Sequence, residues 1–244
     1  VTVTVVAPAK LTVSFKLLGT RADGYHLVDG ELVALAHADV LTIDPDGDGL
    51  VVTGPAAAGV PADATNLVAR ALALVGRHAG VRIDKRIRPE GGLGGGSSDA
   101  AAVLRWAGCT DPTVAARLGA DVAFCLRGGR ARVSGVGEIV EPLPFEDRTY
   151  TLVTPPFGVS TVAAYRAWDA LGGPVVDGPN DLEPAAFAVE PRLAIWRDRI
   201  REAAGATPVL AGSGSTFFVT GAHPELGPTL PDATVVVTRT VPAH

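Results

Sequence analysis

The segment Pro89–Ala102, reading PEGGLGGGSSDAAA, sets five glycines and two serines between a strand-like run and a helical one. Glycine reaches positive φ and carries no side chain, so consecutive amides in such a loop can converge on anionic oxygens. The helix that follows adds unpaired amides and the positive end of its dipole. The segment therefore predicts a phosphate-cradling loop that opens a helix, with serine at the N-cap. A mobile surface linker is the bland alternative. The direct run into Asp99, Ala100, Ala101, Ala102, Val103 and Leu104, a good helix-forming stretch, argues against it. The two common glycine-loop patterns do not fit. A Walker loop needs lysine where Ser97 stands. A dinucleotide fingerprint needs glycine there, near the start of a βαβ unit, whereas this loop lies well inside the chain.

Around the loop, strands and helices follow one another without strict alternation. Val1–Val6 and Thr12–Leu18 read as strands about a corner at Ala7–Lys10, followed by a polar turn at Arg21–Gly24. Val33–Ile43 and Leu50–Val52 add strand, with Asp46–Gly49 as a hairpin turn. Leu67, Val68, Ala71, Leu72 and Val75 recur at helical spacing within Asp63–His78, and Val81–Ile87 then enters the glycine loop as strand. A helix is expected from about Ser98 to Trp106, and a short one from Asp111 with Pro112 in its first turn. LGADVAF then leads to a strand at Arg130–Val133. Pro142, Pro144 and the charged Glu146, Asp147 and Arg148 mark a boundary, dividing the chain into residues 1–144 and 145–244. Beyond it come a strand at Tyr150–Val153, helices at Thr161–Leu171 and Pro191–Ala204, and two strands flanking AGSGSTFF. The pattern predicts an α+β architecture rather than a doubly wound sheet.

A chain of 244 residues can bury the core of one large domain or two small ones. Its formal charge of −5 gives no reason to expect nucleic acid or an anionic membrane as partner, so an anion site must be a local basic pocket. Only Lys10, Lys16 and Lys85 are lysines, and Lys16 reads as a solvated surface residue. Cys109 and Cys125 form neither a CxxC pair nor a metal-ligand set, which makes a reduced cytoplasmic location the default. No uncharged apolar run approaches bilayer-spanning length. The opening VTVTVVAPA alternates like a strand and lacks the features of a signal segment.

In order along the chain, APAK at Ala7–Lys10, RADGYH at Arg21–His26, GGLGGGSSDA at Gly91–Ala100, LGADVAF at Leu118–Phe124 and AGSGSTFF at Ala211–Phe218 resemble the GHMP small-molecule kinases. RADGYH narrows the resemblance to the branch whose acceptor is diphosphocytidyl-methylerythritol, in the non-mevalonate route to isoprenoid precursors. The resemblance implies a two-domain GHMP kinase fold with its active site in the interdomain cleft. There ATP, with Mg2+, gives its γ-phosphoryl to a hydroxyl of the erythritol moiety. It makes Asp121 the catalytic aspartate, accepting or fixing the hydroxyl proton, and Lys10 its partner, facing the transferred phosphoryl. It places Asn66, Lys85, Pro89, Gly91, Gly92, Leu93, Gly94, Gly95, Gly96, Ser97 and Ser98 around the nucleotide. Around the acceptor it places Thr12, Tyr25, His26, Gly214 and Ser215, with Tyr25 stacking on the cytosine and His26 bonding to its edge. No direct protein ligand to the metal is assigned, and a monomer or weak homodimer is expected.

Apart from the resemblance, Lys10 reads as solvent-facing, Asp121 as a turn cap, Ser97 and Ser98 as N-caps, and Tyr25 and His26 as surface residues. The match also has gaps. Thr12 stands where these kinases usually carry asparagine, Gly178 and Pro179 where a second stacking aromatic belongs, and the connection from the glycine loop to Asp121 is short. Another GHMP kinase acting on homoserine or mevalonate, or a catalytically silent nucleotide-binding paralogue, are the other readings.

Overall fold

The computed structural model describes residues 1–244. In its first part the chain runs β1 (Val3–Thr20), β2 (His26–Asp44), β3 (Leu50–Thr53), α1 (Leu67–Leu74), β4 (Gly80–Asp84), α2 (Gly95–Trp106), α3 (Pro112–Ala116), α4 (Ala120–Arg127), β5 (Arg130–Gly135) and β6 (Ile139–Pro142). It continues with β7 (Thr149–Thr154), α5 (Thr161–Ala170), α6 (Glu183–Val189), α7 (Arg192–Ala204), β8 (Val209–Leu210), β9 (Phe217–Thr220), α8 (Leu226–Thr229) and β10 (Thr234–Arg239). The architecture is α+β, with a six-stranded and a four-stranded sheet.

The long strand β2 is the axis of the first sheet. One edge pairs with β1 along its length, while the other is shared end to end by β4, against Val40–Asp44, and β5, against Val28–Val33. The expected corner at Ala7–Lys10 is instead a bulge in one continuous strand, where the register shifts between Pro8 and Lys10. A bulge accommodates proline and breaks the inward–outward alternation. Ala9, Lys10 and Leu11 are consequently all buried, and the Lys10 amide donates to the Leu93 carbonyl at 3.0 Å, fastening the strand to the glycine loop. Asp46–Gly49 is not a hairpin turn. β4 occupies the β2 edge, pairing Val81 with Ile43, and β3 lies outside it in parallel, pairing Leu50 with Val81. Local composition marks the turn but not which strand the next one meets.

The second sheet, in order β10, β7, β9, β8, is antiparallel throughout. α4, β6, α6, α8 and β10 were not foreseen in the sequence. β10 matters most, because beyond it the chain returns to the first sheet through a bridge from Thr240 to Leu35 and then bridges Ala243 to Gly128, at the end of α4. Between the two sheets Ala9, Leu11, Leu35, Ile87, Leu93, Leu152 and Phe218 form one buried cluster with Tyr150, whose ring meets Phe218 edge to face at 5.5 Å.

The helix after the glycine loop is wholly interior from Ser98 to Leu104, which its small and apolar residues permit. It begins earlier than expected, at Gly95, with Gly94 at the N-cap in the left-handed region (φ 65°) and no side chain capping it. The predicted serine cap is therefore corrected: Ser97 and Ser98 lie inside the first turn. A Cβ at Gly95 would stand 2.9 Å from the Ile87 side chain, and one at Gly94 would stand 2.7 Å from Lys10 Cγ. The helix can start here only because these positions are glycine, and its first amides stay open to a ligand.

Candidate active site

A cavity of about 850 Å³ opens between residues of the first part of the chain, up to Gly137, and the segment Thr161–Ser213 of the second. Pro89, the glycines of the loop, Leu93 and Ser97 line one end. Lys10, Thr12 and Asp121 line its middle, and Phe15, Tyr25, His26 and Tyr165 its aromatic end. Lys10 Nζ lies 3.3 Å from Asp121 Oδ2, with the lysine side chain 8 % and the aspartate 41 % exposed. Each reaches this point for a local reason. The β1 bulge aims Lys10 inward, where it packs against Gly94. Asp121 occupies the first turn of α4, the favourable end of a helix for a carboxylate. Lys10 Nζ also donates to Thr12 Oγ1 at 3.2 Å, so Thr12 meets the lysine rather than standing free for a ligand.

The glycine loop is braced from behind by the late loop. A Cβ on Gly92 (φ 78°) would come within 2.4 Å of the Ala211 carbonyl oxygen and 2.9 Å of that of Gly214. Gly212 and Ser213 face the cavity, whereas Gly214 and Ser215 do not, and the Ser215 hydroxyl donates to the Phe157 carbonyl at 2.6 Å. The two residues expected at the acceptor, Gly214 and Ser215, are therefore corrected: they lie outside the cavity wall. Asn180, whose side-chain amide donates to the Leu210 and Gly212 carbonyls at 2.9 and 2.7 Å, holds this loop in place. Glu90, also in the cavity wall, has a φ of 56°, a conformation uncommon for a residue with a Cβ and often found at ligand sites. Because backbone carbonyls cannot yield, Gly92→Ala is expected to cost about 1–2 kcal/mol of stability and to weaken ATP binding at least about tenfold, read by calorimetric titration alongside a melting curve.

Three expected nucleotide contacts fall elsewhere. Lys85 lies beneath the loop, with Nζ at 2.5 Å from Asp39 Oδ2 and 2.7 Å from Asp99 Oδ2. Its side chain is 3 % exposed, so it supports the start of α2 and does not reach the cavity. Asn66 is the N-cap of α1, accepting from the Val68 amide and donating to the Pro61 carbonyl. Ser98 is buried, its hydroxyl donating to the Pro8 carbonyl at 2.5 Å. Lys16 is corrected as well. It donates to the Val176 and Gly178 carbonyls and pairs at 2.9 Å with Asp181, tying β1 to the segment before α6.

At the aromatic end, Gly24 (φ 86°) closes the RADGYH turn, in which the Arg21 amide donates to the Tyr25 carbonyl at 2.7 Å. The turn leaves Tyr25 exposed, with Arg21 over its ring at 5.8 Å, and carries His26 inward. His26 stacks on Tyr165 at 4.7 Å and meets the edge of Trp168 at 5.5 Å. Tyr165 is thus an aromatic of the cavity wall, while Gly178 and Pro179 supply none. Burial and, secondarily, Asp121 push its hydroxyl well above the usual tyrosine range, so it stays protonated. Arg88 and Arg166 also line the cavity and make no ion pair, which supplies the local basic pocket a net-negative protein needs for an anion. Sequence inspection missed Tyr165 and both arginines, because nothing in the order of residues places α5 opposite the glycine loop.

The chain is similar to known proteins of one family. The profile of the GHMP kinases N terminal domain matches residues 64–129. A 4-diphosphocytidyl-2-C-methyl-D-erythritol kinase of Paracoccus denitrificans is 39 % identical over 231 residues, covering 87 % of this chain and 84 % of that protein. One of Dinoroseobacter shibae is 38 % identical over 241 residues, covering 87 % and 83 %. A crystal structure of 4-(cytidine 5'-diphospho)-2C-methyl-D-erythritol kinase superposes with a TM-score of 0.79 at 30 % identity, covering 98 % of this chain and all of that one. Homoserine kinase from Cytophaga hutchinsonii shares the fold, with a TM-score of 0.63 at 19 % identity over 99 % of this chain and 95 % of its own. With identity this high over most of both sequences, the chain belongs to the 4-diphosphocytidyl-2-C-methyl-D-erythritol kinase family of the GHMP kinases.

Proposed function

We propose that this chain transfers the γ-phosphoryl of ATP to the 2-hydroxyl of 4-diphosphocytidyl-2-C-methyl-D-erythritol, in the cytoplasm, on the non-mevalonate route to isoprenoid precursors. The observation that carries the reading is the approach of Lys10 to Asp121, 3.3 Å apart beside the open amides of α2. Asp121 takes the proton of the acceptor hydroxyl as its oxygen attacks phosphorus. Lys10 meets the charge that gathers on the transferred phosphoryl, and Thr12 orients its ammonium. The amides from Gly91 to Ser97 cradle the polyphosphate. Arg88 and Arg166 offset charge on the phosphates of the two substrates. The cytosine lies at the aromatic end, against Tyr25, His26 and Tyr165. Residues 1–144 and 145–244 serve as the two domains between which the substrates meet.

The donors present fit Mg2+, an ion that keeps several waters and takes one or two carboxylates together with substrate phosphates. Glu90 and Ser97 offer oxygens at the phosphate end of the cavity and would hold it. When bound, the ion neutralises charge on the β- and γ-phosphates.

In a coupled assay, ADP is expected to form from magnesium-ATP only when the cytidine-bearing acceptor is present. Turnover of homoserine or mevalonate instead would move the chain to another GHMP activity. Tight ATP binding with no turnover of any of the three would make it a silent nucleotide-binding paralogue.

A further inference from the structure

The cavity's one imidazole is held on three sides by a single helix from the opposite half of the protein. Tyr165, Trp168 and Asp169 fall at spacings of three and four on α5, hence on one face. Tyr165 stacks on His26, Trp168 meets its edge, and Asp169 Oδ1 lies 2.8 Å from His26 Nε2. His26 itself is at the start of β2, so this contact spans the cleft. A carboxylate can only accept here, which places a proton on Nε2. Nδ1 makes no hydrogen bond within the chain and is left as the ring's remaining polar atom, in a side chain that is 11 % exposed and lines the cavity. In a neutral ring with hydrogen on Nε2, Nδ1 is an acceptor.

We propose that Asp169 is a positioning residue that fixes His26 with its proton on Nε2, so that Nδ1 accepts a hydrogen bond and the acceptor site selects an amino-bearing pyrimidine over a keto-bearing one. Cytosine presents an exocyclic amine, a donor, where uracil presents a carbonyl, an acceptor. Against uracil, Nδ1 would face a second lone pair, and a polar group left unpaired in a closed site is what rejects a near-isostere most strongly. The inference rests on the functional reading above, since it presumes that the base lies at the aromatic end. It adds a residue of the cavity wall that acts through His26 and gives the histidine a defined tautomer.

The test compares wild type, Asp169→Ala and Asp169→Asn with the cytidine acceptor and its uridine counterpart. Asp169 is half-exposed and its carboxylate bonds only to His26, so both variants should fold, which melting curves check. Asp169→Ala is expected to lower the cytidine-to-uridine ratio of kcat/KM about tenfold, the size of one hydrogen bond, through KM and with kcat unchanged. Asparagine can accept from either tautomer's N–H or donate to its lone pair, so Asp169→Asn is expected to fall between. Nitrogen-15 spectra, with the His26 signal assigned from a His26→Gln variant, should give an unprotonated Nδ1 in wild type and a tautomer mixture in Asp169→Ala. A protonated Nδ1 in wild type, or an unchanged ratio in an active Asp169→Ala enzyme, overturns the proposal alone. A wild type that ignores the cytidine acceptor sinks the functional reading beneath it.

Discussion

Replacing Asp121 by asparagine is expected to lower kcat by roughly 10²–10⁴-fold, the usual contribution of a positioned general base, while ATP affinity changes by less than about threefold. Two structural facts separate these outcomes. Asp121 belongs to the first turn of α4 and not to the glycine loop, so the loop's own amides are unchanged in the variant. Its carboxylate is 41 % exposed, so its ion pair with Lys10 contributes at most about 1 kcal/mol to stability. Lys10 keeps Thr12 as a hydrogen-bond partner in the variant. The amide fills the same space but cannot take the hydroxyl proton. Single-turnover kinetics, ATP titration and a melting curve on one preparation distinguish loss of chemistry from loss of binding or folding. A variant within tenfold of wild-type kcat would mean that the carboxylate only orients the hydroxyl and that another group or solvent takes the proton.

The meeting of Lys10 with Asp121 was legible in the sequence because motif order carries it, although more than a hundred positions separate APAK from LGADVAF. The glycine loop was legible for a simpler reason, since a strand-to-helix junction rich in glycine has few other uses. What stayed hidden depends on tertiary pairing. Lys85 reads like a nucleotide ligand because it precedes the loop, and only the packing of Asp39 and Asp99 around it reveals a foundation. Asn66 and Ser98 are polar residues whose partners are backbone groups a few residues away or on another strand, so both readings survive until the fold is known. The β1 bulge reads as a corner because Pro8 signals an interruption without its size. Tyr165 and Asp169 could have been suspected only from the excess of aromatic and charged residues on one face of a ten-residue helix.

The second large effect is structural. Lys85→Met is expected to destabilise the protein by about 3–5 kcal/mol, as removal of one member of a buried ion group does, and to shift the urea midpoint accordingly. Asp39, Lys85 and Asp99 form a triad whose side chains are 0–4 % exposed, with two carboxylates for one ammonium. Asp39 is well provided for, since the Arg86 and Ile87 amides also donate to it at 2.5 and 2.8 Å. Asp99 is not: Lys85 reaches one oxygen, and the other is buried with no partner. Burial, opposed by Lys85 and reinforced by Asp39, pushes the Asp99 carboxyl up to about 7. Burial likewise pulls Lys85 down, but Asp99 and Asp39 outweigh it and hold the ammonium above its ordinary range. The sign of the pH dependence follows. Between the ordinary carboxyl value of 3.8 and about 7, the native state holds a proton on Asp99 that the unfolded chain has released. The stability this group contributes is complete below that window and is lost as pH rises through about 7. Asp99→Asn should therefore remove this part of the pH slope and be more stable than wild type above neutrality, whereas in Lys85→Met the loss of the ammonium raises Asp99 further and extends the slope to higher pH. Urea melts of the three proteins across this range decide it. A Lys85→Met protein as stable as wild type would mean that water enters beneath α2 and that the triad is not the dry support of the loop.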